Sequence, residues 1–380
     1  MRENANQNQW KFYSGVLLKA LALFIIVSFF LAFLYPFESI GKVSAYNILF
    51  PGRTRLPYGD DPSKSYNLSL FNLAAMFASH RVAAGPKPDS EFRVILIGDS
   101  SAWGYLLSPN DTLTAQLNSK QMILRDGKEL KFYNLGYPVM SLTKDLVILS
   151  EAMRYQPDMV IWLVTLESFP NDKQLYPALL QQNPNKIRAL IHDYELDLIP
   201  EDPAFIDGNV SLRTIAAARR ELADLVRLQL YGVLWSATGI DHYIPEIFPT
   251  KQEDLAADMK FHIWEAPPLD SSELAFDILL AGHDVATSIP IWIINEPIFI
   301  SSGENSDTRY NFYYPRWAYD GYRQLMRAQS INSSWLYSDF WDVVPPEEFT
   351  NTAVHLSPYG TSILVDAISS ALPELLYQDK

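Results

Sequence analysis

The chain has 380 residues, of which 48% are apolar, so it can bury a large core in one large domain or in one domain with a sizeable insertion. A net charge of -14 and a pI near 4.9 argue against a nucleic-acid partner, because binding to phosphates needs clustered Lys and Arg. Cysteine is absent, which excludes disulfides, thiolate zinc sites and a thiol nucleophile. We predict neither a metal nor a cofactor.

The first predicted element is an apolar segment, Val16–Tyr35, which follows a short tail of residues 1–15. As a helix it would span about 30 Å, the thickness of the hydrocarbon layer of a bilayer. A cleaved signal peptide is the alternative, but the run is long for a signal peptide, and the residues at its end, Tyr35-Pro36-Phe37-Glu38, are bulky and do not form a small-x-small cleavage site. We therefore predict an uncleaved anchor over residues 16–36, with the remainder of the chain on the extracytoplasmic side.

A connector over residues 37–90 is predicted to join this anchor to a domain over residues 91–380. Apolar runs that indicate buried strands then alternate with helical patterns. The predicted strands are Val94–Ile97, Phe132–Gly136, Met159–Val164 and Ile289–Ile294, and the predicted helices are Leu106–Leu117, Leu142–Arg154 and a last helix that ends at Leu372. This rhythm predicts an α/β fold of three layers, α/β/α, around a central parallel sheet, as in flavodoxin-like proteins.

An insertion over about residues 170–268 interrupts the rhythm. Within it, Thr214–Trp235 has the apolar spacing of an amphipathic helix. We interpret its apolar stripe as core packed on the sheet, in preference to a lid or a membrane contact. After the insertion, Asp270 and Glu273 resemble a capping box that would start a helix reaching Leu280.

Two stretches carry polar residues that chemistry could use. Ser100 follows the first strand directly, where a turn into a helix exposes its hydroxyl at the carboxyl edge of a parallel sheet among free backbone N–H groups. His355 lies on a loop just before the last helix. Each has a plain alternative, since such a serine can merely cap its helix and a loop histidine is commonly a surface residue.

Taken together, these stretches resemble the GDSL/SGNH hydrolase superfamily over roughly residues 92–170 and 289–372. Gly98-Asp99-Ser100 with Gly104 is similar to the first sequence block of that family, and Gly136 is similar to its second. His355, followed by Pro358 and Gly360, is similar to the fifth. The resemblance implies an SGNH fold in which Ser100 is the nucleophile and His355 its base, with the backbone N–H groups of Ser100 and Gly136 in the oxyanion hole.

The chain departs from the family pattern at two positions. Glu167 stands where the family has an oxyanion-hole asparagine, and an ionised carboxylate cannot donate a hydrogen bond. Thr352 stands three residues before the histidine, where the family has an acid. Asn351, Asp342 or a main-chain carbonyl therefore remain as groups that could orient His355, and we expect a slower enzyme than a full triad would give. The further pocket candidates are Asp99, Ser101, Asn295 and Glu296.

The resemblance implies a membrane-anchored serine esterase or O-acyltransferase that acts on acyl, above all acetyl, esters of extracytoplasmic glycans or on small esters. Relatives in alginate O-acetylation, which this arrangement resembles, work with a membrane-bound acyltransferase partner. A catalytically impaired binding or scaffold protein of a surface-polysaccharide complex is the competing class, favoured by Glu167 and Thr352. An unrelated flavodoxin-like receptor domain is a third, which side chains of Ser100 and His355 more than about 8 Å apart would favour.

Overall fold

The computed structural model describes residues 2–34, 37–44, 47, 50, 52–58, 70–207, 215, 218–238, 246–265 and 267–376. In chain order the strands are β1 Glu91–Ile97, β2 Glu129–Asn134, β3 Met159–Val164, β4 Ile291–Asn295 and β5 Leu336–Asp339. The α-helices of these ranges are α1 Arg2–Leu34, α2 Phe37–Gly41, α3 Leu73–Ala78, α4 Ser100–Trp103, α5 Leu113–Ser119, α6 Leu142–Ala152, α7 Ala178–Gln181, α8 Pro184–Tyr194, α9 Arg219–Thr238, α10 Phe276–Ala286, α11 Arg316–Asn332 and α12 Pro358–Leu376.

The strands form one parallel sheet in the order β2-β1-β3-β4-β5. Crossover connections of this kind require a helix between successive strands, which the alternation in the sequence predicted. The α/β class with a central parallel sheet is confirmed. The edge strand β5 was not predicted, because its four residues are only half-buried and have no apolar run.

Helices cover both faces of the sheet, since successive side chains of a strand point to opposite sides. On one face Ile95, Trp162 and Ile293 join a core built with α6, α10 and α11. On the other face Leu96 and Ile161 join a second core built with α5 and α12. Because the strands are parallel, their carboxyl ends all lie at one edge of the sheet, which is where parallel sheets bind ligands.

The segment after β1 differs from its prediction. Instead of one helix over Leu106–Leu117, the chain forms the short α4, then a turn, and then α5. Gly104 ends α4 with φ at 85° and Leu106 has φ at 62°, both in the left-handed region where a helix cannot continue.

The predicted capping box also differs from the structure. Asp270 accepts a hydrogen bond from the backbone N–H of Ser272 at 2.9 Å and starts only a short 3-10 turn, Ser271–Glu273. The α-helix that follows, α10, begins at Phe276.

The insertion helix is α9, and its apolar stripe is not core packed on the sheet. Leu225 and Leu228 are buried in a small separate cluster together with Ala75. Val226, at 59% exposed, and Leu230, at 65% exposed, face away from that cluster. The sheet interpretation is therefore wrong, because α9 packs on the connector region. Thr214, the first residue of the predicted helix, lies outside the described residues.

The N-terminal helix α1 contains a stretch, Gln9–Leu34, that is long and apolar enough to cross a membrane. Its apolar side chains are largely exposed, as they are in a helix without a protein core to pack on. Residues 35 and 36, the end of the predicted anchor, lie outside the described residues. A signal sequence can have the same length and composition, so the choice between anchor and signal rests on the residues that follow the stretch.

Candidate active site

The turn after β1 places Ser100 at the carboxyl edge of the sheet. Gly98 has φ at 146°, and a Cβ there would lie 2.9 Å from the carbonyl oxygen of Leu163 in β3, so only glycine allows this approach. Asp99 caps α4, because its Oδ1 accepts a hydrogen bond from the Ser101 N–H at 2.7 Å. The cap is thus Asp99, and Ser100 is the first helical residue with its hydroxyl available for chemistry.

Ser100 and His355 are in direct contact. Ser100 Oγ lies 2.7 Å from His355 Nε2, and Asn351 Oδ1 lies 2.8 Å from His355 Nδ1. An amide oxygen only accepts hydrogen bonds, so the ring proton is on Nδ1 and Nε2 is free to accept from the serine hydroxyl. Of the groups considered for orienting the imidazole, Asn351 makes the contact, whereas Asp342 is exposed. The distance also removes the reason for the receptor-domain alternative.

Hydrogen bonds within the loop position the backbone of His355. Thr352 Oγ1 accepts from the backbone N–H of His355 at 3.2 Å, and Thr350 donates its backbone N–H to the His355 carbonyl at 2.8 Å. Thr352, at the position of the family's acid, therefore shapes the turn and does not contact the ring nitrogens. Tyr105 stacks on the imidazole with 4.9 Å between ring centroids.

Burial sets the charge of His355. The residue is 6% exposed, and this burial lowers its pKa to about 4, with the negative charge of Asp99 acting in the opposite direction. Because the imidazole is neutral at neutral pH, Nε2 can serve there as a general base.

Gly136 follows β2 and packs against α4, but its N–H is already engaged. A Cβ at Gly136 would lie 2.6 Å from the backbone nitrogen of Trp103, so the glycine permits close packing beneath the nucleophile turn. Its N–H donates to Asn134 Oδ1 at 3.0 Å. Gly136 could therefore serve as the predicted oxyanion donor only if its N–H exchanged the bond to Asn134 for one to the substrate, so this role stays a prediction. Ser100 differs, since the first residue of a helix has an N–H without an acceptor in that helix.

Glu167 lies in a 3-10 turn directly after β3, and its carboxylate contacts the side chains of Lys173 and His262. One carboxylate oxygen contacts Lys173 Nζ, and the other lies 2.8 Å from His262 Nε2. Burial and the nearby Lys173 charge lower the pKa of His262. The family's asparagine position thus holds a carboxylate that accepts from both neighbours, and His262 ties the insertion to the sheet edge. Neither Lys173 nor His262 was predicted from the sequence.

The two pocket candidates after β4 have different surroundings. Asn295 is fully buried, donates to Asp339 at 2.8 Å and accepts from Tyr319 at 3.2 Å. It therefore belongs to the core and not to a pocket, which corrects its prediction. Glu296 accepts a hydrogen bond from Ser101 Oγ. Together with Ser101 and His355 it lines a cavity of about 10 Å³, close to the smallest volume that can hold one water molecule.

Comparisons with known proteins give similarity at the level of structure alone. No protein family model matches the chain. No curated protein matches it in sequence. Among solved structures, a carbohydrate acetylesterase family member from Sinorhizobium meliloti is 11% identical, with a TM-score of 0.32 and coverage of 75% of this chain and 98% of the other. An inhibitor-bound aryl esterase of M. smegmatis is 12% identical, with a TM-score of 0.33 and coverage of 74% and 99%. Similarity this low carries no argument about activity, which has to be inferred from the site itself.

Proposed function

We propose that this chain is a serine esterase or O-acyltransferase that works through an acyl-enzyme. The observation that carries the proposal is the continuous hydrogen-bonded line from Ser100 through His355 to Asn351 at the carboxyl edge of the sheet. A nucleophile, a base and a group that orients the base are the parts that covalent acyl transfer requires.

In the first half of the reaction, Ser100 Oγ attacks the carbonyl carbon of an ester while His355 Nε2 takes the hydroxyl proton. The carbonyl oxygen becomes an oxyanion that the N–H of Ser100 can stabilise. Collapse of this intermediate breaks the bond to the alcohol, and His355 returns the proton to the leaving oxygen. The acyl group is then bound to Ser100.

In the second half, a hydroxyl oxygen attacks the acyl carbon while His355 takes the hydroxyl proton. The bond between the acyl group and Ser100 Oγ then breaks, and His355 returns the proton to Ser100 Oγ. Water as the attacking group gives hydrolysis, and a sugar hydroxyl gives transfer, so the two activities share every group on the protein. Because Asn351 is neutral, it stabilises the imidazolium less than a carboxylate would. We therefore expect a modest rate of acyl transfer.

The proposed substrates are acyl esters, above all acetyl esters, of glycans outside the cytoplasm. Small esters are the alternative substrates. The apolar stretch Gln9–Leu34 supports a location at the membrane, and the bulky residues directly after it, Tyr35-Pro36-Phe37-Glu38, support retention of the helix as an anchor. A membrane-bound acyltransferase is the proposed partner if the reaction is transfer.

Protease treatment of spheroplasts tests the location. The proposal expects digestion of the domain after residue 37 while cytoplasmic markers survive. Full protection of the domain would exclude an extracytoplasmic site.

A fluorophosphonate probe tests the chemistry. The full-length protein in detergent micelles should be labelled on Ser100, which mass spectrometry of the peptides identifies. Ser100→Ala should abolish this labelling, whereas Ser108→Ala, at a nearby serine outside the Ser100–His355 contact, is the matched control and should label normally. Wild-type protein that stays unlabelled would overturn the enzymatic proposal.

A non-catalytic binding or scaffold protein is the second candidate. The observations that favour it are the engagement of the Gly136 N–H by Asn134 and the ion-paired Glu167, which together leave the oxyanion site with fewer donors. Failure of the probe to label folded protein, together with binding of acylated glycan, would support this candidate.

A further inference from the structure

Two buried carboxyl groups lie directly behind the nucleophile turn. Asp99 is 3% exposed and Glu296 is 1% exposed. Ser101 joins them, since its backbone N–H donates to Asp99 Oδ1 at 2.7 Å and its hydroxyl donates to Glu296 Oε2. Each carboxyl group therefore has one oxygen bonded to the same serine.

The remaining oxygen of each group is unsatisfied by the protein. Asp99 Oδ2 and Glu296 Oε1 are both buried and accept no hydrogen bond from any residue that the structure describes. A buried acceptor without a partner is costly, and two buried negative charges at close range repel each other. One proton placed between the two oxygens removes both costs, because one carboxyl group then donates to the other.

We propose that Asp99 and Glu296 share one proton between Oδ2 and Oε1, and that the single negative charge of this pair stabilises the His355 imidazolium. The second half of this inference rests on the proposed acyl chemistry, and the first half does not. Asp99 and Glu296 are positioning residues in this proposal, since they act through His355 and Ser101.

The groups around Asp99 and Glu296 favour a single negative charge on the pair. Burial and the negative charge of Asp99 raise the pKa of Glu296 well above its usual range. The nearby cation, Lys144, is committed elsewhere: it donates to the Gly98 carbonyl at 2.8 Å and pairs with Asp145 at 2.5 Å. Lys144 therefore offsets the charge of Asp145 and does not stabilise a second negative charge on the pair.

The other titratable groups that face the pair are neutral or repel a second negative charge. Asp145 has a pKa raised to about 6 by its burial, so at higher pH its charge opposes ionisation of Glu296. The phenols of Tyr313, Tyr314 and Tyr319 stay neutral, because burial raises their pKa. His355 is the group on which the pair acts, since the Asp99 charge raises the pKa of this imidazole against the effect of burial. Asn351 contributes orientation without charge, so the electrostatic part falls to Asp99.

Infrared spectroscopy of the full-length protein in micelles tests the shared proton without any need for activity. At about pH 8, where Asp145 is ionised, the wild type should show a protonated-carboxyl absorption that Glu296→Gln lacks. In Asp99→Asn this absorption should move, and it should disappear at lower pH than in the wild type, because the opposing charge is gone. Glu151→Gln is the matched control, since Glu151 is buried but bonded to Arg154 and Lys186.

Absence of the absorption in the wild type would overturn the shared proton, as would an absorption that Asp99→Asn leaves unchanged in position and titration.

The pH profile of kcat/KM tests the effect on His355. Asp99→Asn should move the acid limb to lower pH by about 1 unit, whereas Glu296→Gln, which keeps the Asp99 charge, should leave the limb in place. Equal behaviour of the two variants would overturn the electrostatic role even where the infrared result holds.

Discussion

His355 Nδ1 lies 2.8 Å from Asn351 Oδ1, so a neutral amide holds the place that a carboxylate holds in a Ser-His-Asp triad. The amide fixes the same tautomer, because its oxygen accepts from the Nδ1 proton and leaves Nε2 free for Ser100. Orientation and charge, which one aspartate supplies together, are thus supplied here by different residues.

Asn351→Ala should leave the imidazole without its orienting contact. We expect kcat/KM to fall by about 100-fold or more, within the range of about 10²–10⁴ that a positioned general base contributes. Esterase assays with an activated acetyl ester measure the loss, and thermal unfolding checks that the protein is folded.

Asn351→Asp is the opposite change and tests the same contact. A carboxylate beside the imidazole favours its protonated form, so the acid limb of kcat/KM should move to higher pH by about 1 to 3 units. An unmoved limb would contradict the Asn351 contact. Asp342→Asn, at an exposed neighbouring carboxylate, is the control and should leave the profile unchanged.

Ser100 and His355 should behave as one unit. Ser100→Ala and His355→Ala should each lower turnover by orders of magnitude, and the double variant should be scarcely slower than either, since groups that act together are strongly non-additive. Removal of the serine hydroxyl should change the free energy of unfolding by only about 1 kcal/mol, the value of one hydrogen bond. Losses that multiply in the double variant would show that the two side chains do not share one step.

The buried histidine makes both activity and stability depend on pH. Because the pKa of His355 is lowered to about 4 in the folded protein, activity should stay level through neutral pH and fall only near pH 4. The lowered pKa also means that the unfolded chain binds the proton more readily. His355 therefore contributes stability above its unfolded pKa near 6.5, and this contribution is lost as the pH falls toward 4. Urea unfolding at several pH values measures the free energy of unfolding. In this pH window, the free energy of unfolding should change less steeply with pH in His355→Gln than in the wild type.

The sheet and the nucleophile turn were predictable from the sequence for definite physical reasons. Strands buried on both faces have uninterrupted apolar runs, as at Met159–Val164, and a parallel sheet brings the ends of these strands to one edge. Ser100 could be placed at that edge for the same reason. The resemblance at His355 then supplied its partner, which no local pattern could do across so long a stretch of chain.

The structural features that were not predicted depend on contacts between residues far apart in the chain or on the orientation of side chains. An apolar stripe reads alike whether it packs on a sheet or, as in α9, on another segment with one side left in solvent. Tyr105 and His262 reach the site through folding of the chain, and no spacing in the sequence marks them. Gly136 was predicted as a donor, yet the partner of its N–H is decided by the side-chain orientation of Asn134.

The two partners of Glu167 make it possible to separate a structural from a catalytic role of its carboxylate. The carboxylate accepts from Lys173 and His262, and its replacement leaves both donors without that acceptor. Glu167→Asn should therefore lower the free energy of unfolding by about 1–3 kcal/mol. A double-mutant cycle with His262→Ala should give a coupling energy of about 0.5 kcal/mol or more, as residues in contact do.

Activity per folded molecule should respond in the other direction. Glu167→Asn places an amide donor where the carboxylate could only accept, so the rate of acyl-enzyme formation should stay unchanged or rise, since one oxyanion donor can contribute about 3 kcal/mol. Glu167→Gln, which keeps the length of the side chain, is the control for loss of charge alone. The measurement is the rate of probe labelling at Ser100, corrected for the folded fraction from thermal unfolding. A lower rate in folded Glu167→Asn would contradict this expectation and would show that the carboxylate itself binds an acceptor hydroxyl or acts on His355.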